Sequence, residues 1–209
     1  MSGLFVTIEG GEGAGKSTQS RLLSNALAAD GRKLLQTREP GGAPGAERLR
    51  SLLLNGDHSL SLRAEILVHF ASRLDHIERT IAPALADGML VICDRFTDSS
   101  LAYQGYGLGL GDPEILGFIE SLIALTPLKP DLTLLLDVPR DVASLRLTRR
   151  GTDPDRYERL DEAFHLRVAE GFRRIAAQAP ARVVTIDAGV GVEQVHRLLL
   201  DEVTNRSPL

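Results

Sequence analysis

Residues 4–8, Leu-Phe-Val-Thr-Ile, run almost directly into Gly10-Gly11-Glu12-Gly13-Ala14-Gly15-Lys16-Ser17, and this junction constrains the fold more than any other stretch. A short apolar run reads as a buried strand, and G-x-x-x-x-G-K-[ST] is the phosphate-binding loop that joins such a strand to a helix. Glycines let successive backbone N–H groups turn inward around phosphate oxygens, where side chains would collide. The helix predicted over residues 17–29 points its positive end at the same anion. Gly10, Gly11, Glu12, Gly13, Ala14, Gly15, Lys16, Ser17 and Thr18 are therefore candidate triphosphate-binding residues. Lys16 would reach the β- and γ-phosphates, and the Ser17 hydroxyl would help hold Mg²⁺.

Further short apolar runs alternate with longer helical patterns, which predicts a parallel sheet with helices on both faces. Strands are expected over residues 4–8, 33–37, 89–93, 132–137 and 182–187, giving an α/β fold with a five-stranded parallel sheet. Ile66, Phe70, Leu74, Ile77, Ile81 and Leu85 recur at three- or four-residue steps and mark a long amphipathic helix. Val192, Val195, Leu198, Leu199 and Val203 mark another. Pro139 sits at a first helical position, opening a helix toward Arg150. With 209 residues and no flexible linker, the whole chain, 1–209, is expected to be one domain.

A formal charge of −4 argues against a broad nucleic-acid footprint, so phosphate binding must be local. Of 24 basic residues only Lys16, Lys33 and Lys129 are lysines, which singles out the lysine of the glycine loop. Cys93 is the one cysteine, lies in an apolar run and suits a reducing compartment. No apolar stretch is long enough to span a membrane, so a cytoplasmic location is expected.

Asp94-Arg95 follows the run 89–93. An acid at the end of a neighbouring strand commonly supports a magnesium shell, which makes Ser17 and Asp94 the candidate metal residues. Arg95 would project into the cleft and bridge phosphate oxygens. The breaker-rich segment 149–157 carries Arg149, Arg150 and Arg156 and reads as a lid. Phosphoryl transfer needs in-line positioning, exclusion of water and positive charge around the migrating group. The interior of the glycine loop has no arginine, so Lys16, Arg95 and the three lid arginines form the candidate catalytic set, with the contacting lid residue left open. That arrangement predicts a kinase. A GTP-binding switch would carry N-K-x-D and D-x-x-G, and neither occurs. Another P-loop kinase acting on a different nucleoside monophosphate remains an alternative at this point.

Three further motifs narrow it: Thr37-Arg38-Glu39-Pro40-Gly41-Gly42, Asp94-Arg95-Phe96 and Ser99-Ser100-Leu101-Ala102-Tyr103-Gln104-Gly105. With the glycine loop, the run 130–138 and Asp155-Arg156-Tyr157-Glu158, they make the chain resemble the thymidylate kinase family of the bacterial kind nearly end to end. The resemblance implies transfer of the ATP γ-phosphate to dTMP with Mg²⁺, and a homodimer paired through core helices. It also implies site roles. Glu12 would hold the 3′-hydroxyl, Arg73 the thymine edge and Arg95 the acceptor phosphate. Ser100 and Gln104 would meet the base, Tyr103 would crowd the 2′ position, and Arg38, Glu39 and Arg50 would line the acceptor side.

The chain departs from that pattern twice. The family usually places phenylalanine four residues before the base-binding arginine, whereas here His69 stands there with Phe70 beside it. Either ring is a candidate to stack on the base. Leu108 precedes Gly109 where relatives often carry arginine, so no site is assigned there.

Overall fold

The computed structural model describes residues 3–55, 60–151 and 153–206. Thr152 of the expected lid lies outside them. Five parallel strands, β1 (Phe5–Glu9), β2 (Leu34–Arg38), β3 (Leu90–Asp94), β4 (Leu132–Asp137) and β5 (Val183–Asp187), form one sheet in the order β2-β3-β1-β4-β5. Ile8 lies beside Asp94 on one side and Leu134 on the other. Central β1 is buried along its whole length, as expected for a strand covered on both faces, while edge strand β2 is half exposed. Four strands start one residue later than their apolar runs predict. Leu4, Lys33 and Arg182 each lend a carbonyl to the neighbouring strand from just outside the ladder.

Around the sheet run α1 (Lys16–Ala29), α2 (Pro44–Asn55), α3 (Leu62–His76), α4 (Ala82–Ala86), α5 (Thr97–Ser100), α6 (Pro113–Leu125), α7 (Arg140–Arg150), α8 (Glu162–Gln178) and α9 (Val192–Arg206). A wider π turn, Ile77–Ile81, joins α3 to α4, and a longer one, Leu101–Leu108, continues α5. Pro139 caps α7 with an extended ψ instead of occupying its first turn. Helix starts are closed by side chains that accept orphan N–H groups: Ser61 for α3, Asp112 for α6 and Asp161 for α8. On one face, Leu23 and Leu27 of α1 and Leu199 and Val203 of α9 pack on Val6, Ile8, Leu134 and Leu136. On the other, Phe70, Tyr103, Phe164, Val168 and Phe172 pack together.

The long stripe of α3 needs one correction. Ile66, Phe70, Ile77 and Ile81 are buried, but Leu74 is largely exposed, and so are Val192 and Leu198 in α9. At about 100° per residue, Arg73 falls nearer the middle of the buried stripe than Leu74 does. A second buried row, Glu65, His69, Arg73 and His76, runs beside the apolar one at four-, four- and three-residue steps. The buried side of α3 is thus more polar than apolar. Burying four polar residues on one helix requires partners for them.

Candidate active site

The glycine loop leaves β1, the middle strand, and enters α1 through Gly15, which caps the helix at φ 91°. Two positions need glycine outright. Gly10 has φ 140°, and a Cβ there would meet the Leu136 carbonyl oxygen at 2.5 Å; Gly13 has φ 77°, and its Cβ would meet the Ala143 carbonyl oxygen at 2.4 Å. The loop is therefore pressed between β4 and α7. A cleft of about 560 Å³ opens over it, bounded by residues 12–18, the ends of β2 and β3, the face of α3, the segment 96–104 and residues of α7 and the lid.

Lys16 folds back so that Nζ donates to the Gly11 carbonyl at 2.7 Å. Burial, helped by the charge of Arg95, lowers its pKa, against the opposing pull of Glu12 and Asp94. Ser17 Oγ donates to Asp94 Oδ2 at 2.8 Å, while Asp94 Oδ1 is buried without a hydrogen-bond partner. A hydroxyl and a carboxylate oxygen with unused capacity, side by side at the phosphate end of the cleft, fit a hard divalent cation that takes its remaining ligands from phosphate and water.

Arg95 adopts a left-handed backbone, φ 70°, rare for a residue with a Cβ. The cause lies behind it. Glu9, at the end of β1, accepts from the N–H of Phe96 at 2.7 Å and from the N–H and Oγ of Ser99 at 3.3 and 2.6 Å. These bonds hold the chain after β3 so that Arg95 turns into the cleft. Its Nη2 donates to Glu12 Oε1 at 2.5 Å and its Nη1 to the Gly10 carbonyl at 3.2 Å. The guanidinium lies 4.8 Å from the centre of the Tyr103 ring, whose hydroxyl donates to Glu12 at 2.8 Å. Burial alone would raise the Glu12 pKa. The charges of Arg95 and Lys16 and the Tyr103 hydroxyl outweigh it, and Glu12 is held down at about 2. It is a permanent acceptor at neutral pH.

Arg73 is clamped on three sides. Nε donates to Glu39 Oε2 at 2.8 Å, and Nη2 donates to the Phe96 carbonyl at 3.0 Å and to Ser100 Oγ at 3.1 Å. Phe70 and Phe96 flank the guanidinium at 4.7 and 5.2 Å. The remaining nitrogen, Nη1, is buried and has no partner. Glu39, which precedes a cis bond to Pro40, faces Arg73 and His76 and so supports the cleft from behind. Arg50 donates to the Pro40 carbonyl at 2.7 Å, and Arg38 pairs with Glu47. His69 lies on the cleft wall, whereas Phe70 turns into the core against Arg73.

Most of the residues expected from sequence thus gather at one cleft. Among the described residues, Gly10, Gly11, Phe70, Arg149 and Arg156 stand off its walls. Arg149 and Arg150 belong to the last turn of α7, not to a loop, and Gly151 ends that helix in a left-handed conformation. Arg150 faces the cleft and pairs with Glu158 at 2.7 Å; Arg156 turns back to Glu65 at 2.6 Å. The structure adds wall residues the sequence reading missed, among them Arg146, Asp155, Tyr157 and Glu158. Arg146 was findable, because it precedes Arg150 by four residues and shares its helix face.

A parallel sheet with its glycine loop on the central strand, a lysine and a serine at the helix entry, an acid on the adjacent strand and arginines across the gap define a P-loop kinase core. Comparison with known proteins places it further. The family described as Thymidylate kinase matches residues 8–199. The thymidylate kinase of Gluconobacter oxydans is 57% identical over 201 residues, covering 96% of this chain and 94% of that protein. That of Rhizorhabdus wittichii is 49% identical over the full length of both. The crystal structure of thymidylate kinase from Ehrlichia chaffeensis superposes with a TM-score of 0.78 at 33% identity, covering 98% of this chain and 99% of that one. The chain belongs to the thymidylate kinase family.

Proposed function

We propose that this chain transfers the γ-phosphate of ATP to dTMP, giving dTDP and ADP, as a single P-loop kinase domain. The observation that carries the acceptor assignment is the Arg73 Nη1 donor, buried, aligned by three fixed bonds and lacking a partner. A buried donor left unsatisfied costs about 1–3 kcal/mol, so a base carbonyl that meets it is favoured and a base without one is rejected.

On the donor side the loop from Gly10 to Thr18 receives the triphosphate, with Lys16 leaving the Gly11 carbonyl for the β- and γ-phosphates. Ser17 and Asp94 would hold Mg²⁺, which supplies charge neutralisation between the phosphates. On the acceptor side Arg95, now paired with Glu12, exchanges that carboxylate for the dTMP phosphate. Glu12 then accepts from the 3′-hydroxyl, which suits a group ionised down to about pH 2. Tyr103 crowds the 2′ position, Ser100 and Gln104 meet the base edge, and His69 takes the place of a stacking ring. Arg38 and Arg50 line the acceptor phosphate's approach. Of the three arginines expected in the lid, Arg150, which faces the cleft with Arg146 beside it, would meet the transferring group.

Exposed Leu67 and Leu74, seven residues apart on α3, together with Leu52 of α2, support pairing with a second copy through these helices. Among the described residues no helix is long and apolar enough to cross a membrane. A buried free Cys93 accords with a cytoplasmic setting. The test is transfer of labelled phosphate from ATP to dTMP, dUMP, dCMP and dGMP with Mg²⁺. dTMP should have the highest kcat/KM; preference for any other acceptor rejects the base assignment.

A further inference from the structure

Among the described residues, Tyr157 is the one lid side chain buried in the core. Its ring is buried, stacks on Phe164 at 6.5 Å with an interplanar angle of 17°, and meets Tyr103 edge-on at 5.7 Å. Its backbone N–H donates to Asp155 Oδ1 at 2.9 Å, so the turn that carries it is closed on itself. Its hydroxyl oxygen lies 2.9 Å from Glu65 Oε1, 2.9 Å from His69 Nε2 and 3.0 Å from Gln104 Nε2. The other oxygen of Glu65 pairs with Arg156 Nη1, also from the lid, at 2.6 Å.

A phenol has one proton to give and two lone pairs. The ion-paired Glu65 carboxylate can only accept from it, so the proton goes there. One lone pair then accepts from the Gln104 amide, and the hydroxyl also faces His69 Nε2, which itself lies 3.2 Å from Gln104 Nε2, so the three side chains form one hydrogen-bonded cluster. Burial first, then the charge of Glu65, push the Tyr157 pKa well up, so the hydroxyl keeps its proton and this arrangement at neutral pH.

We infer that the Tyr157 hydroxyl is a positioning group for acceptor specificity: seated from the lid, it orients Gln104 and His69, two of the polar side chains assigned to the base. The inference rests on the reading of this cleft as the dTMP site. Its consequence is that lid placement and base selection are one unit. A lid that lifts Tyr157 away releases Gln104 and His69 together, and a base that misplaces them loosens the lid.

The test is Tyr157→Phe, which keeps the ring and its packing. KM for dTMP should rise about tenfold and the preference for dTMP over dCMP, as a ratio of kcat/KM, should fall about tenfold. KM for ATP should stay within about twofold. In the background His69→Phe plus Gln104→Met, removing the hydroxyl should change KM for dTMP by less than about twofold, because its clients are gone. A wild-type KM and preference in Tyr157→Phe, or the full tenfold loss persisting in that background, overturns the inference. If Tyr157→Phe fails to fold, Glu65→Gln serves in its place by disturbing the acceptor that sets the phenol's direction. It should raise KM for dTMP with that for ATP unmoved, and two unchanged constants overturn the inference. The two readings fail separately. A wild-type protein that prefers another monophosphate, and loses affinity for it in Tyr157→Phe, rejects the dTMP assignment while supporting the positioning role. One that prefers dTMP with its KM unmoved in the variant rejects the positioning role alone.

Discussion

Two carboxylates three residues apart, Glu9 and Glu12, have opposite titration behaviour because they face different partners. Burial, reinforced by the negative charge of Asp98, pushes Glu9 up from 4.5 to about 7 in spite of its hydrogen bonds from Ser99 and Phe96. A folded state that holds its proton more tightly than the unfolded chain loses stability as pH rises from about 4.5 to 7. That loss is on the order of 3 kcal/mol. Glu12, held down at about 2, contributes stability that is present above 4.5 and disappears as pH falls through 2. Urea midpoints of wild type and Glu9→Gln at pH 5 and pH 8 separate these effects. Wild type should lose stability between the two pH values and the variant should lose less; parallel behaviour would show that Glu9 does not titrate there. Arg73 carries a related lesson. The family resemblance marks it, but the row Glu65, His69, Arg73, His76 that carries it becomes visible only once polar residues are counted by helical step as well as apolar ones. Tyr157 was beyond such counting, because its hydroxyl meets Glu65 across 92 residues and no local period records that contact.

Among the elements, the glycine loop and α7 are bound together by the approach of Gly13 to the Ala143 carbonyl. Gly13→Ala meets both a left-handed backbone and a backbone oxygen that cannot step aside. It should lower unfolding free energy by about 1–3 kcal/mol and reduce phosphoryl transfer. Gly11→Ala, where a Cβ would find open space, should melt with the wild type in the same thermal scan. Equal melting of both variants would show that the loop yields freely. The strands and the loop were legible in sequence because burial on both faces writes a continuous apolar run and the loop demands glycine. The segment 149–157 was legible as a breaker-rich run but not as a geometry. Its first two arginines continue α7 because the helix finds its stop only at Gly151, a boundary that a cluster of charges does not encode.

For the molecule as a whole, the cleft draws its walls from both halves of the chain, so a ligand seated there ties the halves together. A ligand that binds only the folded state stabilises it by RT ln(1 + [L]/Kd), about 2.7 kcal/mol at a hundredfold excess over Kd. dTMP should raise the melting temperature accordingly, and Arg73→Met should abolish that rise by removing the base's proposed partner and leaving buried Glu39 without its arginine. A shift from another monophosphate but none from dTMP would assign the acceptor elsewhere. The sheet order has a consequence of a different kind. Strand β1 pairs only with β3 and β4, at residues 91–94 and 132–135. During synthesis β1, although it precedes the other four strands, therefore waits for β4 before it has both neighbours. More than half the chain must emerge before the amino-terminal segment can settle between them, and until then its apolar residues stay within reach of chaperones.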